Sequence, residues 1–378
     1  MKVGVPKESF PGERRVALVP TVVPMLTRLG LEVVIESGAG ELAGYSDSEF
    51  ESVQAKIVKS AADLYSTSDI VLKVRASEIG DSEVALINQA HTVIGLFDPL
   101  GSPEFAKGIS KTGATSFALE LVPRISRAQS MDALTSQATI TGYKAVLMGA
   151  EKLPKMFPML MTAAGTITPA KVFVVGAGVA GLQAIATANR LGAVVSGYDV
   201  RPAVKDQVES LGATFVEIEL ETKDSESAGG YAQAMGEEFY DLQRKLLTSV
   251  VSDSDVVITT AAIPGKKAPV LITSEMVKQM KPGSVIVDLA AETGGNCELT
   301  RAGDDVNEGG VSVIGPVNLA SSIPYHASQM YARNQLAFLR NMVKESSLNI
   351  DMSDQIIQES LLTREGKVVN ERVAELLK

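Results

Sequence analysis

One cysteine, Cys297, and two histidines, His91 and His326, are all that 378 residues offer of the most versatile metal ligands and proton carriers. A single thiol excludes an internal disulfide and any cysteine-rich metal site, and it fits a reducing compartment. Neither histidine has an acidic or cysteine neighbour at ligand spacing, so both read as structural and no metal is expected. A Ser-His-Asp triad and a phosphate loop of the G-x-x-x-x-G-K type are absent too. Positive charge is also in short supply: 35 basic against 45 acidic residues leave a net charge of -10. A broad basic face for nucleic acid or an anionic membrane is therefore not expected. The N-terminus M-K-V-G-V-P-K-E-S-F-P-G-E-R-R has no apolar core of a secretory signal. The longest apolar stretch, Val172 to Ala188, contains Gln183 and three glycines, and reads as strand, turn and helix rather than a membrane span. A cytoplasmic protein with no direct membrane insertion is the expectation.

What is present is a repeated α/β pattern. Strand-like runs, V-G-V, L-E-V-V-I-E, D-I-V-L-K-V and T-V-I-G-L, alternate with helical stretches, which predicts mainly parallel sheets covered by helices. The order then recurs. R-L-G-L-E-V-V from Arg28 resembles R-L-G-A-V-V from Arg190, S-D-I-V-L-K from Ser68 resembles S-D-V-V-I-T from Ser254, and H-T-V-I from His91 resembles G-S-V-I from Gly283. Two Rossmann-like domains follow, joined by long helices predicted from about Ser136 and Ser328, with a cleft between the domains. The boundaries are set at 1–134 with 321–378 for the first domain and 135–320 for the second. The second copy carries 24 extra residues between its landmarks. These are placed in the polar stretch 221–244 as an inserted mobile loop, a gate over a ligand or a tolerated surface excursion. The charged tail from Ser346 to Lys378 receives no assignment.

The second domain carries the nucleotide signature. K-V-F-V-V-G-A-G-V-A-G-L supplies a strand, then Gly176, Gly178 and Gly181 in G-x-G-x-x-G spacing, then an alanine-rich helix. Such glycines allow a tight turn, approach of a pyrophosphate to backbone, and close helix packing, with the helix N-terminus facing the phosphates. The next strand ends in Asp199, where a carboxylate can take the adenine-ribose hydroxyls and repel a 2′-phosphate; this favours NAD(H). Arg201, two residues on, is a group that can accommodate such a phosphate. Ala177 and Val179 in the loop and Val200 beside Asp199 complete the set. The first domain lacks the fingerprint, so one dinucleotide per chain is expected. The scarcity of acids and bases constrains the reaction as well. Dehydrogenating an alcohol or amine needs a proton acceptor, whereas hydride transfer between two nicotinamides needs only alignment.

The segments R-I-S-R-A-Q-S-M-D (124–132), G-A-G-V-A-G-L (176–182), A-G-G-Y-A-Q-A-M around Tyr231, I-P-G-K-K-A-P-V-L-I-T (263–273) and G-S-V-I-V-D-L-A-A-E-T-G-G-N-C (283–297) closely resemble the NAD(H)-binding component of proton-translocating nicotinamide nucleotide transhydrogenases. The resemblance covers nearly the whole chain. It implies a peripheral dimer that passes hydride from NADH to NADP⁺ on a partner subunit, coupled to protons by a membrane subunit at the inner face of the cell membrane. It also implies that Arg124, Gln129 and Asp132 hold the nicotinamide end in the domain cleft, Gln129 toward the partner's nucleotide. Thr135, where the family often has serine, keeps the hydroxyl. Tyr231 and Met235 match the family's mobile loop, while Gly230, Gln243 and Ala262, the last through its backbone, match positions that line its nucleotide site. The alternative is an amino-acid dehydrogenase resembling alanine dehydrogenase, whose substrate-binding arginine and lysine match Arg15 and Lys73. Against it, Phe97 and Asp98 stand where that family's catalytic histidine is expected. A NAD-sensing regulatory subunit is a third, non-enzymatic reading.

Overall fold

The computed structural model describes residues 1–76, 83–217 and 237–378. They divide into two compact units, Met1–Gln137 with Ala320–Lys378, and Ala138–Leu319. The first boundary falls inside the helix Ala133–Lys152, and the second just precedes the helix Pro324–Met342. In chain order the strands are β1 (Lys2–Val5), β2 (Glu32–Glu36), β3 (Lys56–Val58), β4 (Ile70–Arg75), β5 (Thr92–Leu96), β6 (Thr115–Ala118), β7 (Leu160–Thr162), β8 (Gly165–Ile167), β9 (Lys171–Val175), β10 (Val194–Tyr198), β11 (Thr214–Phe215), β12 (Val256–Thr259), β13 (Val285–Asp288), β14 (Asp305–Glu308), β15 (Val311–Ile314), β16 (Val343–Lys344), β17 (Ser347–Leu348), β18 (Leu361–Arg364) and β19 (Lys367–Val368).

Each unit is built on one large, mostly parallel sheet. The first has the order β19-β18-β6-β5-β4-β1-β2-β3 and the second β11-β10-β9-β12-β13-β15-β14. Counting parallel strands from the first of each unit, both read 3-2-1-4-5-6, the doubly wound order of dinucleotide-binding folds. The three sequence repeats land on equivalent positions: β2 with β10, β4 with β12, and β5 with β13. Antiparallel strands close one side of each sheet, β18 and β19 beyond β6, and β14 beyond β15.

The strands read as apolar runs because both faces are covered. Along β9, Val172 and Val174 enter one core cluster and Phe173 and Val175 the other, and β12 divides Val256 and Ile258 from Val257 in the same way. This is the period of two expected of a strand buried on both sides. Two features differ from the sequence reading. The helix Glu237–Asp253 takes up 237–244, a stretch that the sequence places in the inserted loop. Its apolar positions Leu247 and Val251 pack against β9 and β12 in one core, and this tertiary contact outweighs a polar first turn. The unassigned tail supplies β17 to β19 and two short helices, Gln355–Ser360 and Glu371–Leu376.

Candidate dinucleotide site

Parallel strands of the second unit deliver their functional residues at their carboxyl ends, where a doubly wound sheet places its ligand. Strand β9 ends at Val175 and the chain turns through Gly176 at φ +96° into the helix Val179–Arg190. The three glycines serve three different needs. Gly176 occupies a left-handed conformation that a side chain rarely tolerates. Gly181 is forced by packing, since a Cβ there would lie 1.8 Å from the Gly176 carbonyl oxygen. Gly178 has neither reason: its φ is -76°, and a Cβ would meet nothing within 4 Å. It is the N-cap of a twelve-residue helix whose N-terminus no side chain caps. An open face against backbone amides at the positive end of a helix fits a pyrophosphate. Ala177 is buried at the turn and Val179 is exposed at the first helical position.

Asp199 directly follows β10, and its carboxylate is already tied to this turn. One oxygen accepts from the Ala177 amide at 2.8 Å, and both accept from Arg201, at 2.9 Å from Nε and 2.8 Å from Nη2. The Arg201 amide adds a bond of 2.9 Å. Arg201 is thereby forked onto Asp199, with the two side chains only 15% and 7% exposed. A guanidinium held this way is neutralised where a 2′-phosphate would need it. Val200 lies half-buried between the two.

The loop after β12 meets the glycine turn through Thr260, whose hydroxyl donates to the Gly176 carbonyl at 2.9 Å. Asn296 clamps the next residue, accepting from the Ala261 amide at 2.9 Å and donating to the Ala261 and Pro269 carbonyls at 2.8 Å each. Asn296 is itself positioned by Asp288, a fully buried carboxylate at the end of β13. Asp288 accepts from the amides of Ala290, Asn296 and Cys297 and from the hydroxyls of Thr259 and Thr300 at 2.6 to 3.0 Å. The exposed Ala262 therefore sits on a backbone fixed by two buried polar side chains. Sequence reasoning assigns no role to Thr260, Asp288 or Asn296. The signal for Asp288 is a carboxylate at the end of the otherwise apolar strand V-I-V-D. Gln243 is buried and donates to the Tyr198 hydroxyl at 2.8 Å, beneath the residue that precedes Asp199. Gly230, Tyr231 and Met235 lie outside the described residues.

The polar segment 124–132 belongs to the first unit. Residues Ser126–Met131 form 3-10 turns, anchored by the buried Ala128 and Met131, with Arg124 and Gln129 exposed. Asp132 precedes the helix Ala133–Lys152; its carboxylate accepts from the Thr135 amide at 2.8 Å and from the Thr135 hydroxyl at 2.7 Å. This is N-capping geometry, and it holds the carboxylate in one orientation. Deeper in the unit lies a buried ionic cluster. Glu13 forks Arg15 at 2.8 and 2.7 Å, and Arg15 also donates to Gln137 at 2.8 Å. Lys73 meets Glu83 at 2.6 Å and Glu8 at 3.7 Å. Burial pushes the Glu8 carboxyl up to about 7, against the opposing pull of Lys73 and the Val74 amide. The arginine and lysine that an amino-acid dehydrogenase would turn toward its substrate are thus each held by a carboxylate of this chain. His91 accepts from the Asn88 amide through Nδ1 and lies 2.9 Å from the Tyr65 carbonyl through Nε2, so both ring nitrogens are engaged by backbone. His326 is exposed against the edge of Tyr325.

Residues 4–141 match the alanine dehydrogenase/PNT N-terminal domain, and residues 145–371 the alanine dehydrogenase/PNT C-terminal domain. The first portion of the NAD(P) transhydrogenase alpha subunit from Rhodospirillum rubrum is 47% identical over 376 residues, covering 98% of each chain. A crystal structure of transhydrogenase from Sinorhizobium meliloti superposes with a TM-score of 0.86 at 44% identity, covering 98% of this chain and 99% of that one. L-alanine dehydrogenase superposes with a TM-score of 0.84 at 25% identity, covering 100% and 99%.

Proposed function

The chain belongs to the alanine dehydrogenase/PNT family, among the NAD(P) transhydrogenase alpha subunits, and from that premise we propose that it is the NAD(H)-binding subunit of a proton-translocating transhydrogenase. Hydride passes from its NADH to NADP⁺ on a partner subunit, and a membrane subunit couples the transfer to protons. The chain works as a homodimer, peripheral on the inner face of the cell membrane through those partners. No helix among the described residues is long and apolar enough to cross a membrane itself.

The observation that carries the reading is Gly178, whose missing side chain neither backbone strain nor packing explains. The pyrophosphate lies there, along Gly176, Ala177, Val179 and Gly181, with its charge facing the helix N-terminus. Asp199 takes the adenine-ribose hydroxyls, flanked by Val200 and Arg201, while Gly230, Tyr231, Gln243, Ala262 and Thr135 complete the nucleotide's surroundings. The bound nicotinamide supplies the hydride; the protein supplies position. Arg124 and Asp132 fix the carboxamide and ribose, and the cap bonds from Thr135 keep the Asp132 carboxylate aimed. Gln129 is exposed, as a group that meets the partner's nucleotide must be. No proton carrier is required, which agrees with two histidines that are structural or exposed.

NADH absorbance decides the matter. The purified chain is given pyruvate and ammonium in one mixture, and NADP⁺ with the NADP-binding and membrane subunits in another. Oxidation in the second alone is expected. Oxidation in the first would overturn the reading in favour of an amino-acid dehydrogenase.

A further inference from the structure

The turns around Gln129 bury little of their own, only Ala128 and Met131. They repeat every three residues, so Arg127 and Ser130 share a face while Gln129 is directed about 120° away from it. The shared face is turned to the helix Pro324–Met342. Ser130 lines a groove with Arg340 and Asn341 of that helix, and the Ser130 carbonyl accepts from Asn334 Nδ2 at 2.9 Å. Asn334 is buried and held in turn by the Ser136 hydroxyl, which donates to its Oδ1 at 2.7 Å. Arg127 reaches further, into the charged tail. Its guanidinium forks onto Asp354 at 3.0 and 2.6 Å and donates to Asn341 at 3.2 Å, while Asn341 donates to the same carboxylate at 2.9 Å. Asp354 stands on firm ground. It caps the helix Gln355–Ser360 by accepting from the Ile356 amide at 2.9 Å, and that helix sinks Ile356 and Ile357 into the main core of the unit. Half-exposed ion pairs usually contribute little, but a bidentate pair inside a network is the exception. The bonds from Arg127 accordingly hold the Asp354 carboxyl well below the usual carboxylate range.

We propose that Arg127 and Asp354 form a brace through which the C-terminal tail positions Gln129 and Asp132 for hydride transfer. The brace rests on the reading that residues 124–132 face the nicotinamide. Arg127 and Ser130 stand on either side of Gln129 in the chain, so their two anchors fix the turn that carries Gln129 and leave its side chain free. Asp132 follows directly, its amide donating to the Gln129 carbonyl at 3.3 Å. The Thr135 cap sets the direction of the Asp132 carboxylate, and the braced turn sets where its backbone starts. Hydride transfer between two rings depends on close alignment, and a displacement of about 1 Å can cost about a hundredfold in rate. Arg127 and Asp354 are thus positioning residues, acting through the turn rather than on either nucleotide.

Single-turnover hydride transfer, measured with the NADP-binding and membrane subunits present, tests the brace. Asp354→Asn keeps the cap of its helix, because asparagine caps as well as aspartate, and loses the charged fork. Asp354→Asn and Arg127→Ala should each slow transfer about tenfold. NADH affinity should stay within about twofold of wild type, and Tm within about 4 °C, as for the loss of a half-exposed pair. The double variant should be no slower than either single one, since both remove the same contact. Lys278→Ala, which breaks an ordinary exposed pair with Glu275, should leave the rate unchanged. Hydrogen exchange supplies a readout that needs no hydride transfer: amides of 126–131 should lose protection in both single variants. Wild-type rates in the folded variants, an effect of Arg127→Ala without one of Asp354→Asn, losses that multiply in the double variant, or equal losses of rate and NADH affinity would each overturn the brace. A wild-type complex that transfers no hydride would instead refute the proposed function, and unchanged exchange at 126–131 would then still refute the brace.

Discussion

Asp199→Ala should alter the choice between the two nicotinamide dinucleotides, and its size follows from the bonds around that carboxylate. A hydrogen bond from a ribose hydroxyl to a carboxylate is charge-assisted and contributes about 1.5–3 kcal/mol, so its loss lowers NADH affinity by roughly 10- to 150-fold. The same substitution releases Arg201 from Nε and Nη2 contacts of 2.9 and 2.8 Å and removes the charge that repels a 2′-phosphate. A freed guanidinium on that phosphate adds about 1.5–3 kcal/mol for NADPH. The ratio of affinities therefore moves by about 3–6 kcal/mol, or roughly two to four powers of ten. Nicotinamide fluorescence is a suitable assay because the chain contains no tryptophan to add background. Asp199→Asn, which keeps a hydrogen-bond acceptor but not the charge, should fall between. The Ala177 amide loses its 2.8 Å partner in the alanine variant, so Tm is measured in parallel. A change in the ratio below tenfold in a folded variant would refute both the ribose contact and the role of Arg201.

Gly178→Ala should leave Tm within a degree or two of wild type, since its Cβ enters open space, yet weaken NADH binding at least tenfold in the same titration. Gly181→Ala should destabilise the fold measurably in thermal denaturation, because its Cβ collides with the Gly176 carbonyl. Asp132→Asn keeps the helix cap, because asparagine and aspartate cap about equally well, and should reduce hydride transfer in single-turnover kinetics far more than NADH affinity; equal losses would deny it a part in ring placement. Burial pushes the Glu120 carboxyl from 4.5 up to about 7, and one of its oxygens has no hydrogen-bond partner. The folded state thus binds more protons than the unfolded chain between those values. The corresponding stability is complete below 4.5 and is lost as pH rises through 7. Glu120→Gln should flatten this slope in urea denaturation and be worth about 3 kcal/mol at most at pH 8.

The residues whose role is local were the ones legible in the sequence. Gly176, Gly178 and Gly181 announce a turn by spacing, Asp199 ends an apolar run, and the duplicated landmarks fall on matching strands because apolar runs buried on both faces are hard to disguise. What depended on distant partners was hidden. Strands β18 and β19 form in a charged tail because β6 offers them an edge, and nothing within the tail reveals that. Arg15 and Lys73 match substrate ligands of a related family by position alone, and the carboxylates that hold them, Glu13 on the guanidinium and Glu83 on the ammonium, become visible only in the fold. Asn296 gains meaning only from its clamp on Ala261, 35 positions earlier.

The interrupted layout of the first unit also sets a timetable for synthesis. Residues 138–319 form one continuous stretch with their own two cores, so they can fold as soon as they leave the ribosome. The first unit cannot. Its main core requires Tyr331, Phe338, Leu339, Ile357 and Leu361, and the outer edge of β6 has no neighbour until Leu361–Arg364 arrives. At about 5–20 residues per second, the gap between Gln137 and Leu361 lasts roughly ten to forty-five seconds. Throughout that interval the earliest-made part of the chain presents a bare sheet edge and an unfinished core. The last-made strands are therefore what end the period in which a nascent chain is open to chaperones, proteases and its neighbours on the same message.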